Sequence, residues 1–267
     1  MRATFRSHGG VHAYWQARWE AVPADDGTLN LARYPGIYAQ DIISRTGSPV
    51  LEAGCGAGRI VRHFHNLGHD IVGIDYIPDV LGKIQSVDST AQLAGADILR
   101  LPFKDNTFAS VLAFGLYHNL EVGLIDALNE TRRIIKKNGL LCASFRADNI
   151  QNRLLDRIVA KQVPLSHVDP PGSMTSQFHK MNYRRRELET AFSQSGFIIE
   201  SIRFVENMPF LYKFSALRAS DCKMFDETTA RAKGYRLSLG GRILQSSLMS
   251  ISPAEFCNLY VIIAQPS

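Results

Sequence analysis

The sequence predicts an α/β fold built on a mostly parallel sheet, and three observations carry that expectation. Between Ser48 and Arg146, short apolar runs alternate with amphipathic ones, as successive βαβ units require. Some of those runs, Phe108 to Phe114 above all, are apolar nearly throughout, as strands buried on both faces should be. Glycines 54, 56 and 58 fall where the first run gives way to a helical pattern.

Each element follows in order. Val50 to Ala53 reads as the first strand and Arg59 to Leu67 as the helix after it. Asp70 to Asp75 is a second strand, and a helix opens at Pro78-Asp79, where proline suits the first turn. Ala91 to Ile98 holds a short third strand and Phe108 to Phe114 a fourth. A helix is expected over 121–137, with Leu124, Leu128, Ile134 and Ile135 on one side and a stop at Asn138-Gly139. Leu140 to Phe145 is the fifth strand. Beyond it come a helix (Ile150 to Val159) and a loop from Val163 to Ser176 around Pro170-Pro171-Gly172. A helix over Arg184 to Ser195 follows, ending at Gly196, with a sixth strand at Phe197 to Val205 and a seventh at Asn258 to Ala264. Residues 207–255 form a mostly helical, aromatic-rich insertion with Phe210, Tyr212, Phe214, Phe225 and Tyr235. The stretch up to Gly47 lies outside the sheet and carries Tyr14, Trp15 and Trp19 at helical spacing. The expected organisation is one domain over 1–267, with an N-terminal cap (1–47), a core (48–146) and two insertions (147–182 and 207–255).

Composition narrows the class. The 267 residues are 45% hydrophobic and 21% charged, ordinary for a soluble globular chain and enough for one sizeable core. A net charge of +5 is spread along the chain, so no nucleic-acid tail is visible. Residues 1–10 have no apolar core of a secretory signal, and the apolar run Phe256 to Ala264 is too short to span a bilayer. The four cysteines (Cys55, Cys142, Cys222, Cys257) are far apart, with no CxxC pair and no histidine at ligand spacing. His63, His65 and His69 do not share one helix face. No metal and no disulfide framework are expected, and a reduced cytoplasmic compartment is.

The glycine turn Glu52-Ala53-Gly54-Cys55-Gly56-Ala57-Gly58 carries the chemistry. Glycine permits positive φ and close approach of backbone to a ligand. Nicotinamide and flavin enzymes use such turns too, but favour G-x-G-x-x-G, and the position of that third glycine is Arg59 here. Asp75, at the end of the second strand, can accept both hydroxyls of a ribose in either enzyme class, so it does not discriminate alone.

At this point the chain resembles the class I S-adenosylmethionine-dependent methyltransferases, in particular the small-molecule branch related to ubiquinone-type methyltransferases. The resemblance covers about residues 35–205 and rests on an ordered set of motifs. These are V-L-E-A-G-C-G-A-G-R, V-G-I-D-Y, G-A-D-I-L-R-L-P-F-K-D-N-T-F-A-S-V, A-F-G-L-Y-H-N-L and R-R-I-I-K-K-N-G-L-L. It implies a Rossmann-like, seven-stranded, mostly parallel sheet with an antiparallel last strand, helices on both faces, and helical insertions forming a lid. It implies S-adenosyl-L-methionine as cofactor. Backbone N–H groups from Gly54 through Cys55 and Gly56 to Gly58 would hold the methionine moiety, with Glu52 near its amino group. Asp75 would take the ribose hydroxyls and Asp97 the adenine amino group, Tyr76 and Ile98 would pack on the ring, and Phe114 would lie below the sulfonium.

Methyl transfer is an in-line displacement in which alignment supplies most of the acceleration. A base is needed only for an acceptor that must lose a proton, and His118 is the best-placed candidate. The fourth motif is not N-P-P-Y, which argues against adenine-N6 and glutamine acceptors. Acceptors in this fold bind over the carboxyl ends of the strands, so Tyr14, Trp15, Trp19 and Tyr117 are candidate pocket residues. Arg184 to Arg186, with His179-Lys180 just upstream, leave an anionic acceptor open. The expected function is methylation of a small-molecule, lipid or glycan-precursor acceptor. An RNA or protein methyltransferase, a non-catalytic cofactor-binding module and a nicotinamide oxidoreductase are the rivals.

Overall fold

The structure is a computed structural model that describes residues 1–7, 11–20, 22, 29–162, 176–206, 208–222 and 235–267. The loop expected around Pro170-Pro171-Gly172 and the aromatic Phe225 lie outside those residues. After a first strand β1 (Arg2–Ser7) and helices α1 (Val11–Glu20) and α2 (Gly36–Thr46), the chain enters the alternating units. These are β2 (Val50–Ala53), α3 (Arg59–Asn66), β3 (Ile71–Asp75), α4 (Pro78–Val87), β4 (Gln92–Gly95), β5 (Phe108–Ala113), α5 (Leu124–Ile134) and β6 (Ile135–Arg146). Then come α6 (Ile150–Gln162), β7 (Ser176–Asn182), α7 (Arg185–Gln194), β8 (Phe197–Phe204), α8 (Pro209–Tyr212), α9 (Leu239–Ile251), α10 (Pro253–Phe256) and β9 (Leu259–Pro266).

Seven strands form one sheet in the order β4-β3-β2-β5-β6-β9-β8. The pairs from β4 across to β6 are parallel, while β9 runs antiparallel to both β6 and β8. Residues alternate between two cores, as a period of two requires. Leu51, Ala53, Val111, Ala113, Leu141 and Ala143 pack on one face, and Val50, Ile71, Leu112, Leu140 and Cys142 on the other. The chain turns one way from β2 to β3 and the other way to β5. This reversal of strand order opens a crevice beyond the carboxyl ends of those strands, where α/β sheets of this kind bind ligands.

Two expectations about elements need correction. The helix expected over 121–137 ends at Ile134, and the chain continues as strand from Ile135 through Gly139. Asn138-Gly139 therefore ends no helix. Gly139 instead lies in a register shift of β6 against β5, where a Cβ would stand 2.6 Å from the Ala109 carbonyl oxygen. Residues 176–182, for which no element was expected, form β7, which pairs antiparallel with β1. This small second sheet hangs from the end of β6: Tyr183 N–H donates to the Arg146 carbonyl (2.9 Å) and Asp148 N–H to that of Tyr183 (2.8 Å). It thereby brings His179 and Lys180 to the crevice.

Candidate active site

A cavity of about 2450 Å³ opens over the carboxyl ends of β2, β3, β5 and β6. Glu52, Gly54, Cys55, Asp75, Tyr76, Asp97, Ile98, Phe114 and His118 all line it, as do Tyr14, Trp15 and Trp19 of α1. Thus residues separated by up to 104 positions in the chain converge on one space, since each sits at a strand end or on the cap above it.

The glycine turn is shaped by its own hydrogen bonds. Gly54, Gly56 and Gly58 have φ of 71°, 51° and 72°, a region that favours glycine. Gly54 and Cys55 N–H both donate to the Ile74 carbonyl (2.8 and 2.9 Å), and Gly58 N–H donates to that of Cys55 (2.9 Å). Gly56 N–H donates to Asp75 Oδ2 (2.9 Å). These four amides are engaged within the protein in this structure. The approach that glycine permits at position 56 is made by the chain itself: a Cβ there would stand 2.5 Å from Trp19 Cζ2. Trp15 stacks on Trp19 with centroids 5.9 Å apart, and Lys83 Nζ donates to the Trp19 and Glu20 carbonyls at the end of α1. The N-terminal helix is therefore tied down across α4 with its indoles over the turn.

Two carboxylates face this end of the cavity. Asp75 accepts from Gly56 N–H and, through Oδ1, from Ile77 N–H (3.0 Å), joining the end of β3 to the glycine turn. Burial pushes its pKa up, against the pull of those amides. Glu52 is 6% exposed and accepts from Val61 N–H in α3 (2.8 Å). Burial pushes its pKa up to about 8, with Asp75 adding to the rise and the Val61 amide and Arg59 opposing it. A buried carboxyl group with so weak a hold on its charge is suited to a ligand that brings a cation. Asp97 is exposed and accepts from Leu99 N–H (2.9 Å), while Ile98 is buried beside it and Tyr76 is largely exposed. His12 meets the Tyr76 ring edge to face at 5.7 Å.

A consequence can be measured. Below pH 8 Glu52 is mostly protonated in the free protein, and a bound ammonium favours its ionised form. Ligand binding near pH 6–7 is expected to release a proton, and affinity to rise with pH toward about 8. The same raised pKa makes Glu52's contribution to stability fullest below about 4.5 and lost as pH rises through about 8. Glu52→Gln is expected to flatten both dependences. Calorimetric titration in buffers of different ionisation enthalpy checks this, and an unchanged proton count in the variant would refute it.

Further along the cavity, Phe114 receives Tyr34 edge to face at 5.7 Å. Tyr34 Oη pairs with Ser144 Oγ (2.9 Å), which also accepts from Gly115 N–H (2.8 Å). Sequence reasoning missed Tyr34 and Ser144; the lone hydroxyl in the apolar strand Leu140 to Phe145 was the available signal. His118 is buried, with Nδ1 3.4 Å from the Ser144 carbonyl. Burial, then the positive charges of Lys180 and Arg146, push its pKa down to about 3. Tyr117 is a correction. It is fully buried, its hydroxyl pairs with Thr131 Oγ1 (2.7 Å), and its ring stacks on Phe145, so it belongs to the core and does not line the cavity. A turn of 3-10 helix (Tyr117–Asn119) points residue 117 inward and residue 118 to the cavity. Two of the arginines at 184–186 lie by acids: Arg185 pairs with Glu189 (2.8 Å) and Arg184 lies 3.7 Å from Asp148.

S-Adenosylmethionine fits these residues: positive-φ glycines form the bend, and two buried carboxylates face the space beside it. Residues 51–143 match the family model described as a methyltransferase domain. An uncharacterised protein of Methanocaldococcus jannaschii is 40% identical over 92 residues, covering 34% of this chain and 38% of its own. A malonyl-[acyl-carrier protein] O-methyltransferase of Pectobacterium atrosepticum is 27% identical over 115 residues, 42% of this chain and 44% of its own. The chain spans about two fifths of the length of these curated relatives. The fold is shared with a Burkholderia thailandensis 1,6-didemethyltoxoflavin-N1-methyltransferase, solved with S-adenosylhomocysteine bound. That match has a TM-score of 0.55 and 13% identity over 100% of this chain and 96% of the other. By the methyltransferase domain matched over residues 51–143 and the sheet built around it, the chain is similar to the class I S-adenosylmethionine-dependent methyltransferases.

Proposed function

We propose that this chain transfers a methyl group from S-adenosylmethionine to a small-molecule or lipid-precursor acceptor held in the far part of the cavity. The observation that carries this reading is the meeting of Glu52 and Asp75 with the glycine turn at one end of a space much larger than a nucleoside needs. The bound cofactor supplies a methyl group already activated on a sulfonium. Glu52 takes its ammonium, beside the backbone of the glycine turn. Asp75 uses its remaining lone pairs for the ribose hydroxyls, and Asp97 accepts from the adenine amino group. Tyr76 and Ile98 flank the ring. Phe114, braced by Tyr34, presents an aromatic face to the positive sulfur.

The regions around the core supply the acceptor's walls. Tyr14, Trp15 and Trp19 belong to the cap at 1–47, Leu155 and Lys180 to 147–182, and Lys213, Leu237 and Arg242 to 207–255. The malonyl-[acyl-carrier protein] O-methyltransferase relatives favour an acyl or lipid-precursor acceptor over a nucleic acid.

His118 positions and does not remove a proton. With its pKa down at about 3, the imidazole stays neutral at working pH and holds an added proton too weakly for efficient base catalysis. His118→Asn is expected to lower kcat less than about tenfold, where loss of a general base costs about 100-fold or more. A kcat-against-pH profile without a histidine inflection near 6.5 is the accompanying expectation. The function itself is tested by incubating the protein with methyl-labelled S-adenosylmethionine and an extract of its native host. Label in small molecules or lipids supports the reading. Label confined to RNA or protein would replace it, and no label would refute it.

A further inference from the structure

The amino-acid end of S-adenosylmethionine is a zwitterion, and Glu52 answers only its ammonium. The carboxylate needs donors, yet the amides of Gly54, Cys55, Gly56 and Gly58 already donate within the chain. The first turn of α3 supplies an alternative. Val61 N–H donates to Glu52 Oε2 (2.8 Å), which brings the Glu52 carboxyl group to the start of that helix. Arg59 opens the same turn, and helical side chains lean toward the N-terminus, here back toward the crevice. Arg59 accordingly lines the cavity together with Glu52, Gly54, Cys55 and Ala57. It is exposed, and among the described residues its guanidinium has neither a hydrogen bond nor an ion pair. Its positive charge still acts on Glu52, and on Tyr34, whose ring meets Phe114. A buried acid and an unpaired guanidinium thus flank the glycine turn without closing on each other. Other basic groups of the cavity are placed elsewhere: Lys180 and Arg146 act on His118, and Arg236 pairs with Asp221 (2.7 Å).

We infer that Arg59 binds the α-carboxylate of S-adenosylmethionine and thereby selects the intact amino-acid nucleoside over its decarboxylated form. This deepens, and rests on, the proposed placement of the cofactor at Glu52 and the glycine turn. The ammonium and carboxylate of an α-amino acid hang from one carbon, so their partners must come from one place in the fold. Two residues of opposite sign at the first turn of α3 meet that need. A guanidinium matches a carboxylate with two parallel N–H···O bonds, which the point charge of a lysine does not reproduce. Decarboxylation leaves a propylamine, whose ammonium still suits Glu52 but whose positive charge then faces Arg59 unanswered. Glu52 alone accepts either nucleoside, and Arg59 makes the distinction. Loss of its side chain leaves no protein group without a hydrogen-bond partner, so the fold should tolerate it.

The test compares two ligands that differ by the carboxylate alone, S-adenosylhomocysteine and its decarboxylated form, titrated calorimetrically into the full chain and into Arg59→Gln. The parent protein is expected to prefer S-adenosylhomocysteine by roughly 10- to 100-fold, the range of hydrogen bonds to a charged group. In Arg59→Gln that preference should fall to within about threefold, through weaker binding of S-adenosylhomocysteine while the decarboxylated form binds as well as before or better. Arg59→Lys keeps the charge without the fork and should fall between the two. A preference retained in Arg59→Gln would overturn the inference, since the carboxylate would then be held by the backbone. Equal loss of both ligands would also overturn it, because it would make Arg59 a support of the turn. A parent protein that binds neither ligand would instead overturn the cofactor site itself.

Discussion

Asp75→Ala is expected to raise the dissociation constant for S-adenosylmethionine on the order of 100-fold or more, a loss of about 2.7 kcal/mol or greater. Two effects add. The direct one is removal of the carboxylate proposed to accept the ribose hydroxyls; hydrogen bonds to a charged group contribute about 1.5–3 kcal/mol each. The indirect one is architectural. Asp75 accepts from both the Gly56 and the Ile77 amides, and losing those bonds releases the glycine turn from the end of β3. An unsatisfied buried amide costs about 1–3 kcal/mol, so thermal stability should fall as well. Asp75→Asn separates the two. It retains an accepting oxygen for one amide and should recover stability more than affinity. Calorimetric titration alongside thermal melts checks the pair, and a melting loss with unchanged cofactor affinity would remove Asp75 from the binding site.

Gly56→Ala should be nearly as damaging, although it adds a single methyl group. The backbone at 56 has φ of 51°, where a side chain costs about 1–2 kcal/mol. The added Cβ also falls inside the Trp19 ring's space, at 2.5 and 2.6 Å from Cζ2 and Cη2. Either the turn or the indole must move. Trp19 ends a helix tethered to α4 through Lys83 and through Gln16 donating to Asp79 (2.9 Å), so displacement should carry α1 with it. The expected result is at least a tenfold loss of cofactor affinity and a red-shifted tryptophan emission, because Trp15 and Trp19 become wetter together. An emission spectrum identical to that of the parent protein would show that α1 does not rest on the turn.

These two residues also mark what the sequence could and could not reveal. Asp75 was legible because a strand buried on both faces must end where its polar residue begins, and the glycine turn one unit earlier fixes the register of the crevice. The same local logic placed β2, β3, β5 and the start of α4 within a residue or so. Trp19 against Gly56 was not legible, since it joins two segments 37 residues apart through a packing contact without a pattern. The β1–β7 pair was missed for a related reason. Arg2–Ser7 and Ser176–Asn182 are mixed in polarity and pair across more than 160 positions, so neither has a local signal. Asn138-Gly139 misled because the residues that end a helix also serve a strand irregularity. Tyr117 misled because a tyrosine beside His118 looks like a pocket residue until the turn geometry sends its hydroxyl to Thr131. His179-Lys180 line the cavity, as does Arg146, which the sequence hides at the end of an apolar strand.

The most direct measurement is calorimetric titration of the full chain with S-adenosylhomocysteine and, separately, with NAD. If Glu52, Asp75 and the glycine turn form the cofactor site, S-adenosylhomocysteine binds with one-to-one stoichiometry, releases a proton near pH 7, and NAD gives no heat of binding. Heat from NAD and none from S-adenosylhomocysteine would contradict it.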